Sequence, residues 1–197
     1  MPRISAATNA AQRENTKRAI LESFGKLLYS RGLPGLTMTD VAKNAGIGRT
    51  AVYNYFADMG ELLVAYALDE TERFIKELDE GLEGVDNPID QLAVYIRLQI
   101  EDLARRHLPP GPAMRSMLSP ESYAKLGKHV RELQMVLANI LSAAIAERYI
   151  PENDIRELAM LVHGSLSSSA GRTEDAPDED TRERQIQSTI RFIQMGL

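Results

Sequence analysis

Helical periodicity runs the length of this 197-residue chain, and nowhere do apolar and polar residues alternate between turn signals as in a half-buried strand. Such a chain can bury its apolar stripes only by setting helix against helix. The expected fold is all-α. Ile20, Phe24, Leu27 and Leu28 share one face of a first helix that Gly32 ends. Short helices are expected from Met38 to Ala45 and from Arg49 to Phe56, then a long one from Asp58 to about Gly84. Beyond Pro88 the helices lengthen. Leu92, Ile96, Gln99 or Ile100, and Leu103 line one; Leu126, Val130, Leu133, Leu137, Ile140 and Ala144 line the next. Ile155, Leu158, Val162 and Leu166 mark another, and Ile186, Ile190, Ile193 and Leu197 the last. About nine helices result. Residues 1–12, small and polar, read as a flexible arm.

Hydrophobic residues make up 44% of the chain and charged residues 26%, enough apolar material for a real core. No apolar run approaches the roughly 18 residues of a transmembrane helix, and the N-terminal stretch lacks the apolar segment of a secretory signal. The chain has no cysteine, which excludes disulfides, thiolate catalysis and Cys-based zinc sites. A soluble, cytoplasmic protein without membrane contact is the expectation. His107, His129 and His163 lack metal-ligand spacing, so neither metal nor cofactor is expected. No Gly-rich phosphate loop and no Ser/His/Asp order is present, which argues against an enzyme. The net charge of −5 is unevenly spread: residues 1–63 carry eight Lys/Arg against five acids, and the remainder 15 against 23. A mildly basic head on an acidic body suits one end meeting a polyanion.

Within that head, Leu36 to Phe56 reads as a helix-turn-helix. Thr37 and Asp40 have capping-box spacing at the start of its first helix. Ala42 is small where the second helix must approach. Gly46 tolerates the positive φ that redirects the chain, and Val41, Ile47 and Val52 point into a small core. The short second helix, from Arg49, is mostly polar. A helix of this length in a major groove offers its N-terminal residues to base edges.

From about Arg13 to Leu63 the sequence resembles the tetracycline-repressor (TetR) family of transcriptional regulators. The resemblance is carried by Leu36-Thr37, Asp40-Val41-Ala42, Ala45-Gly46-Ile47, Val52-Tyr53-Asn54-Tyr55-Phe56 and Glu61-Leu62-Leu63. It implies a three-helix DNA-binding domain over residues 13–63, followed over 64–197 by a larger helical ligand-sensing and dimerisation domain. By position, Arg49 and Thr50 would meet bases or phosphates, Ala51 a thymine methyl and Asn54 an adenine, and Tyr53 and Tyr55 would hold phosphates. Thr39 and Lys43 would lie over the flanking backbone. The family usually has a Lys where this chain has Met59, followed here by Gly60; backbone N–H groups at that helix start are one substitute for its phosphate contact. Gly48 stands where a Ser is common.

The resemblance further implies a homodimer, an operator of double-stranded DNA and a small-molecule effector. The dimer interface is expected at Leu158, Leu161, Val162, Ser165, Leu166, Ser169, Ile186, Ile190 and Ile193, although these stripes would also suit packing within one chain. Candidate effector contacts are Tyr66, Phe74, Tyr95, Leu98, Leu103, His107, Met114, Met117, Tyr123, Met135 and His163, each of which suits a core equally well. The expected function is a ligand-released repressor on a palindromic operator. An activator of the same fold, or an all-α interaction module with weak DNA binding, are the alternatives.

Overall fold

The computed structural model describes residues 6–105, Leu108 and residues 111–197. Among them the chain forms nine α-helices and no strand: α1 (Ala6–Arg31), α2 (Met38–Asn44), α3 (Arg49–Tyr53), α4 (Met59–Leu82), α5 (Pro88–Arg105), α6 (Gly111–Met117), α7 (Pro120–Ala146), α8 (Ile155–Glu174) and α9 (Glu179–Gly196). None of these helices is long and apolar enough to cross a membrane among the described residues. Helix α1 begins at Ala6, so residues 6–12 are helical and not a flexible arm. Ala6, Ala7, Ala10 and Ala11 have the strongest helix propensity of any residue, and no Gly or Pro interrupts them. Residues 1–5, with Arg3, lie outside the described residues.

The chain forms two compact units, residues 1–70 with 107–126 and residues 71–106 with 127–197. The division expected between residues 63 and 64 therefore falls later, inside α4, because Val64, Tyr66 and Ala67 continue the apolar face of α4 into the first core. A second correction is that residues 107–126 belong with the first unit.

The first core gathers Ile20, Phe24 and Leu28 of α1, Met38, Val41 and Ala42 of α2, Val52 of α3, and Leu62, Leu63 and Tyr66 of α4. Gly25 lets α1 and α4 approach: a Cβ there would lie 2.9 Å from two atoms of the Tyr66 ring and hydroxyl. That ring is packed edge-on to Phe24 at 5.3 Å. The buried Ser23 hydroxyl donates to the Val41 carbonyl (3.1 Å), tying α1 to the helix-turn-helix.

In the second unit α5, α8 and α9 pack on one another. Leu92, Tyr95, Ile96 and Ile100 of α5 meet Leu158, Val162 and Leu166 of α8 and Ile186, Ile190 and Ile193 of α9, with Leu137, Ile140 and Leu141 of α7 completing the core. The buried Ser169 and Thr189 hydroxyls share a 2.7 Å hydrogen bond between α8 and α9. Arg97 donates through both terminal nitrogens to the Glu183 carboxylate, joining α5 to α9.

This packing corrects the expected dimer interface. Leu158, Val162, Leu166, Ser169, Ile186, Ile190 and Ile193 are all buried within a single chain and so are not a surface for a second copy. Helix α8 has two apolar faces, and the core takes the one with the longer unbroken stripe. Only Leu161 and Ser165 of the expected set remain accessible.

Candidate functional site

The helix-turn-helix is built from local hydrogen bonds. Thr37 starts α2 with a reciprocal capping box: its hydroxyl accepts from the Asp40 N–H (3.2 Å), and the Asp40 carboxylate accepts from the Thr37 N–H (3.0 Å). The Thr37 hydroxyl also donates to Asp40 Oδ2, and this bond first, then that from the Thr37 N–H, holds the Asp40 carboxyl below its usual range, aided by Arg31 and Lys43. Gly46 sits at φ +68°, the left-handed conformation that turns the chain after α2. The Ile47 N–H then donates back to the Ala42 carbonyl (3.0 Å). Gly48 caps α3 in extended conformation without a side-chain bond.

Helix α3 ends at Tyr53, three residues before the expected limit, and Asn54 is its C-cap. Asn54, Tyr55 and Phe56 stay in register through bonds to Ala51 and Val52 carbonyls. Val52 and Phe56 are buried as anchors, which leaves Arg49, Thr50, Tyr53 and Asn54 exposed and Ala51 half-buried. Thr39 and Lys43 are exposed on α2. The two tyrosines differ. Tyr53 is exposed, whereas Tyr55 is half-buried against the first core with the Arg13 guanidinium 5.2 Å above its ring.

The start of α4, where the lysine is missing, carries two carboxylate caps. The Glu61 N–H donates to Asp58 Oδ1 (2.8 Å) and the Ala57 N–H to Glu61 Oε2 (2.7 Å), so two carboxylates already occupy this helix end. Met59 packs partly buried against the first core.

In the second unit, a groove of about 940 Å³ opens between α7 and α8. Leu133, Ala138, Ile155 and Ala159 form its apolar wall, Met135 and Met160 flank it, and Arg131, Gln134, Arg156 and His163 supply its polar atoms. Of the candidate effector contacts, Met135 and His163 line this groove. Tyr95, fully buried on α5, is packed against His163 with ring centroids 6.5 Å apart and planes at 75°. Phe74, Leu98 and Leu103 belong to the second core. Tyr66 and Met114 are buried in the first core, Tyr123 packs against it under the Arg115 guanidinium, and Met117 is exposed. His107 lies outside the described residues.

Sequence reasoning missed Gln99, Arg131, Arg156 and Met160. Gln99 was visible as the one amide in the apolar stripe of α5, a single turn after Tyr95. Tyr95 Oη, Gln99 Oε1, His163 Nε2 and Gln185 Oε1 are buried without a hydrogen-bond partner among the described residues. Burial alone lowers the pKa of His163, keeping the ring neutral at pH 7, and raises that of the Tyr95 phenol far beyond its usual value.

A further surface lies on the outer faces of α8 and α9, where Met160, Leu161, Phe192 and Met195 are all more than 60% exposed. Gly164, Ser165, Ser168 and Ser188 lie among them, lining a shallow depression with Leu161 and Phe192.

Residues 20–66 match the family model described as bacterial regulatory proteins, tetR family. An uncharacterized HTH-type transcriptional regulator of Haemophilus influenzae is 34% identical over 74 residues, covering 37% of this chain and 36% of that protein. The chain thus matches about a third of the length of its curated relatives. Two solved structures share the fold over nearly the whole chain. The regulator FadR from Bacillus subtilis in complex with stearoyl-CoA has a TM-score of 0.75 at 19% identity, over 91% of this chain and 98% of that one. AibR in complex with isovaleryl coenzyme A and operator DNA has a TM-score of 0.74 at 19% identity, over 90% and 97%. The helix-turn-helix segment thus matches the tetR family of bacterial regulatory proteins over residues 20–66, and the chain shares its all-helical fold with these solved regulators.

Proposed function

We propose that this protein is a homodimeric repressor, not an enzyme, that grips a palindromic operator through Arg49–Phe56 and releases it when an acyl-CoA enters each subunit. The observation that carries this reading is the outer face of α3: Arg49, Thr50, Tyr53 and Asn54 stand exposed on a short helix whose opposite side is anchored by Val52. Arg suits a bidentate contact to guanine and Asn one to adenine. One such helix makes few base contacts, and two half-sites about 34 Å apart multiply specificity. The second copy is assigned to the outer apolar faces of α8 and α9, which form a contiguous patch and not scattered single residues.

The effector class is supported by the groove. Its apolar wall suits an acyl chain, and Arg131 and Arg156 beside it suit the phosphates of coenzyme A. FadR and AibR, which share the fold, were solved with stearoyl-CoA and isovaleryl-CoA. Release requires that acyl-CoA bind one arrangement of the dimer more tightly than the operator-competent one.

The test is selection of genomic fragments by the purified protein at physiological salt, followed by gel shift with stearoyl-CoA, isovaleryl-CoA and free coenzyme A. Enrichment of a palindrome that either thioester releases, and coenzyme A does not, supports the proposal. Salt-sensitive binding without an enriched sequence overturns it, because phosphate contacts alone then account for the affinity.

A further inference from the structure

Helix α1 lies outside the helix-turn-helix, yet one of its side chains reaches the end of the reading segment. The Arg13 guanidinium stands 5.2 Å from the centre of the Tyr55 ring. Tyr55 directly follows Asn54, the C-cap of α3, and its N–H donates to the Val52 carbonyl (2.9 Å). The residue is half-buried against the first core. Backbone and core together fix the ring, and a cation–π contact restrains the guanidinium that rests on it.

A guanidinium offers its face to a ring and keeps five N–H donors on its edge. Arg13 is exposed, and among the described residues it makes no hydrogen bond and no ion pair. Arg31 and Lys43, by contrast, act on the Asp40 carboxylate. Two residues after Tyr55 the Ala57 N–H is taken by Glu61, and Asp58 caps the same turn, so the start of α4 carries negative charge. Arg13 is thus a positioned cation with its donors unused, beside the last residues of the reading segment. The anion that α3 brings to this place is a phosphodiester of the duplex, which a guanidinium can take with two parallel hydrogen bonds.

We propose that Arg13, held on the Tyr55 ring, grips a DNA phosphate, so that α1 supplies a backbone contact at the C-terminal end of α3. This rests on the reading of α3 as the operator helix. Arg49 at one end of that helix and Arg13 at the other then bracket the side chains that read bases. The Arg13 contact sets register and carries no sequence information.

The test is fluorescence anisotropy of the full chain with two labelled duplexes of about 30 base pairs, enough for two half-sites one helical turn apart. One carries the sequence selected from genomic fragments and the other the same bases scrambled, and both are titrated over a range of salt. Arg13→Gln should weaken both alike, about tenfold per contact, the worth of one charge-assisted hydrogen bond. It should also reduce the slope of log affinity against log salt by about 0.9 per subunit. Arg13→Lys should restore the slope, because it keeps the charge without the fork. Lys26→Gln removes the same charge from an exposed position about 20 Å along α1 and should leave the slope at the wild-type value. In a Tyr55→Leu background the effect of Arg13→Gln should shrink, since the ring no longer places the guanidinium. An unchanged slope in Arg13→Gln overturns the proposal. An equal reduction in Lys26→Gln overturns it too, for net charge alone then acts, as does an effect that Tyr55→Leu leaves undiminished. Equal wild-type affinity for the two duplexes removes the operator reading while the Arg13→Gln slope still decides the phosphate contact; binding of neither removes both. Circular dichroism of each variant confirms that the helices form.

Discussion

Replacing Tyr95 by Phe should stabilise the ligand-free protein, the reverse of what deleting a buried tyrosine hydroxyl ordinarily does. The side chain is 0% exposed and its oxygen has no hydrogen-bond partner among the described residues. Burial drives the phenol pKa upward, so the hydroxyl stays protonated and uncharged at any working pH. A buried, unsatisfied hydroxyl costs about 1–3 kcal/mol, which the phenylalanine ring recovers. Against this stands the loss of a few dispersion contacts at about 0.1–0.2 kcal/mol each. The balance is a gain of about 1 kcal/mol, or roughly 2–4 °C in Tm for a chain of this size. Scanning calorimetry of both proteins at equal concentration, without ligand, measures it; concentration must match because association itself raises Tm. A Tm lowered by a similar amount would refute the reasoning, for the hydroxyl would then be satisfied in the free protein.

Four further outcomes follow from the geometry. Gly25→Ala should lower the urea midpoint by an amount equivalent to about 1–3 kcal/mol, because its Cβ would lie 2.9 Å from the Tyr66 ring held against Phe24; an unchanged midpoint would mean the ring moves aside freely. The Glu183 carboxyl is lowered to about 2, chiefly by its Arg97 hydrogen bonds, so its contribution is complete above the unfolded carboxyl's pKa and disappears as pH falls from about 5 to 2. Wild type should therefore lose more Tm than Glu183→Gln on acidification through that window, by no more than about 1 kcal/mol because the pair is partly exposed, and parallel pH curves would remove the pair from the account. Phe192→Asp, on the outer face of α9, should weaken self-association at least about tenfold in sedimentation equilibrium without changing helix content, and an intact dimer would move the interface elsewhere. Arg49→Ala should cost about 1–3 kcal/mol on the selected operator, with unchanged affinity denying it a base contact.

The parts of the fold legible in the sequence are those set within four residues of chain. Thr37 and Asp40 cap α2 because their spacing alone permits the reciprocal bond, and Gly46 turns the chain because it tolerates φ +68°. The stripe Ile20, Phe24, Leu27 and Leu28 announces a core-facing helix wherever its partners lie. The N-terminal residues were misread for the opposite reason: small and polar composition suggested an arm, while the same alanines favour helix once α1 is nucleated downstream.

The interface and the groove depended on distances in space. Leu158, Val162 and Leu166 form a stripe as suitable for a partner as for a core, and only the presence of α5 and α9 on that side assigns them to the interior. The outer face with Leu161 and Phe192 is what remains. Gln99 stands in the apolar stripe of α5 in the sequence itself, but its burial one turn from Tyr95, and the approach of His163 to Tyr95, belong to the folded chain. Sequence alone thus determined most of the helices, the capping of α2 and the presence of a helix-turn-helix, because periodicity and capping are properties of neighbours along the chain. Which apolar face is buried, where a groove opens between α7 and α8, and which polar atoms are left without partners among the described residues were decided by tertiary structure, because burial belongs to a residue's surroundings and not to its identity.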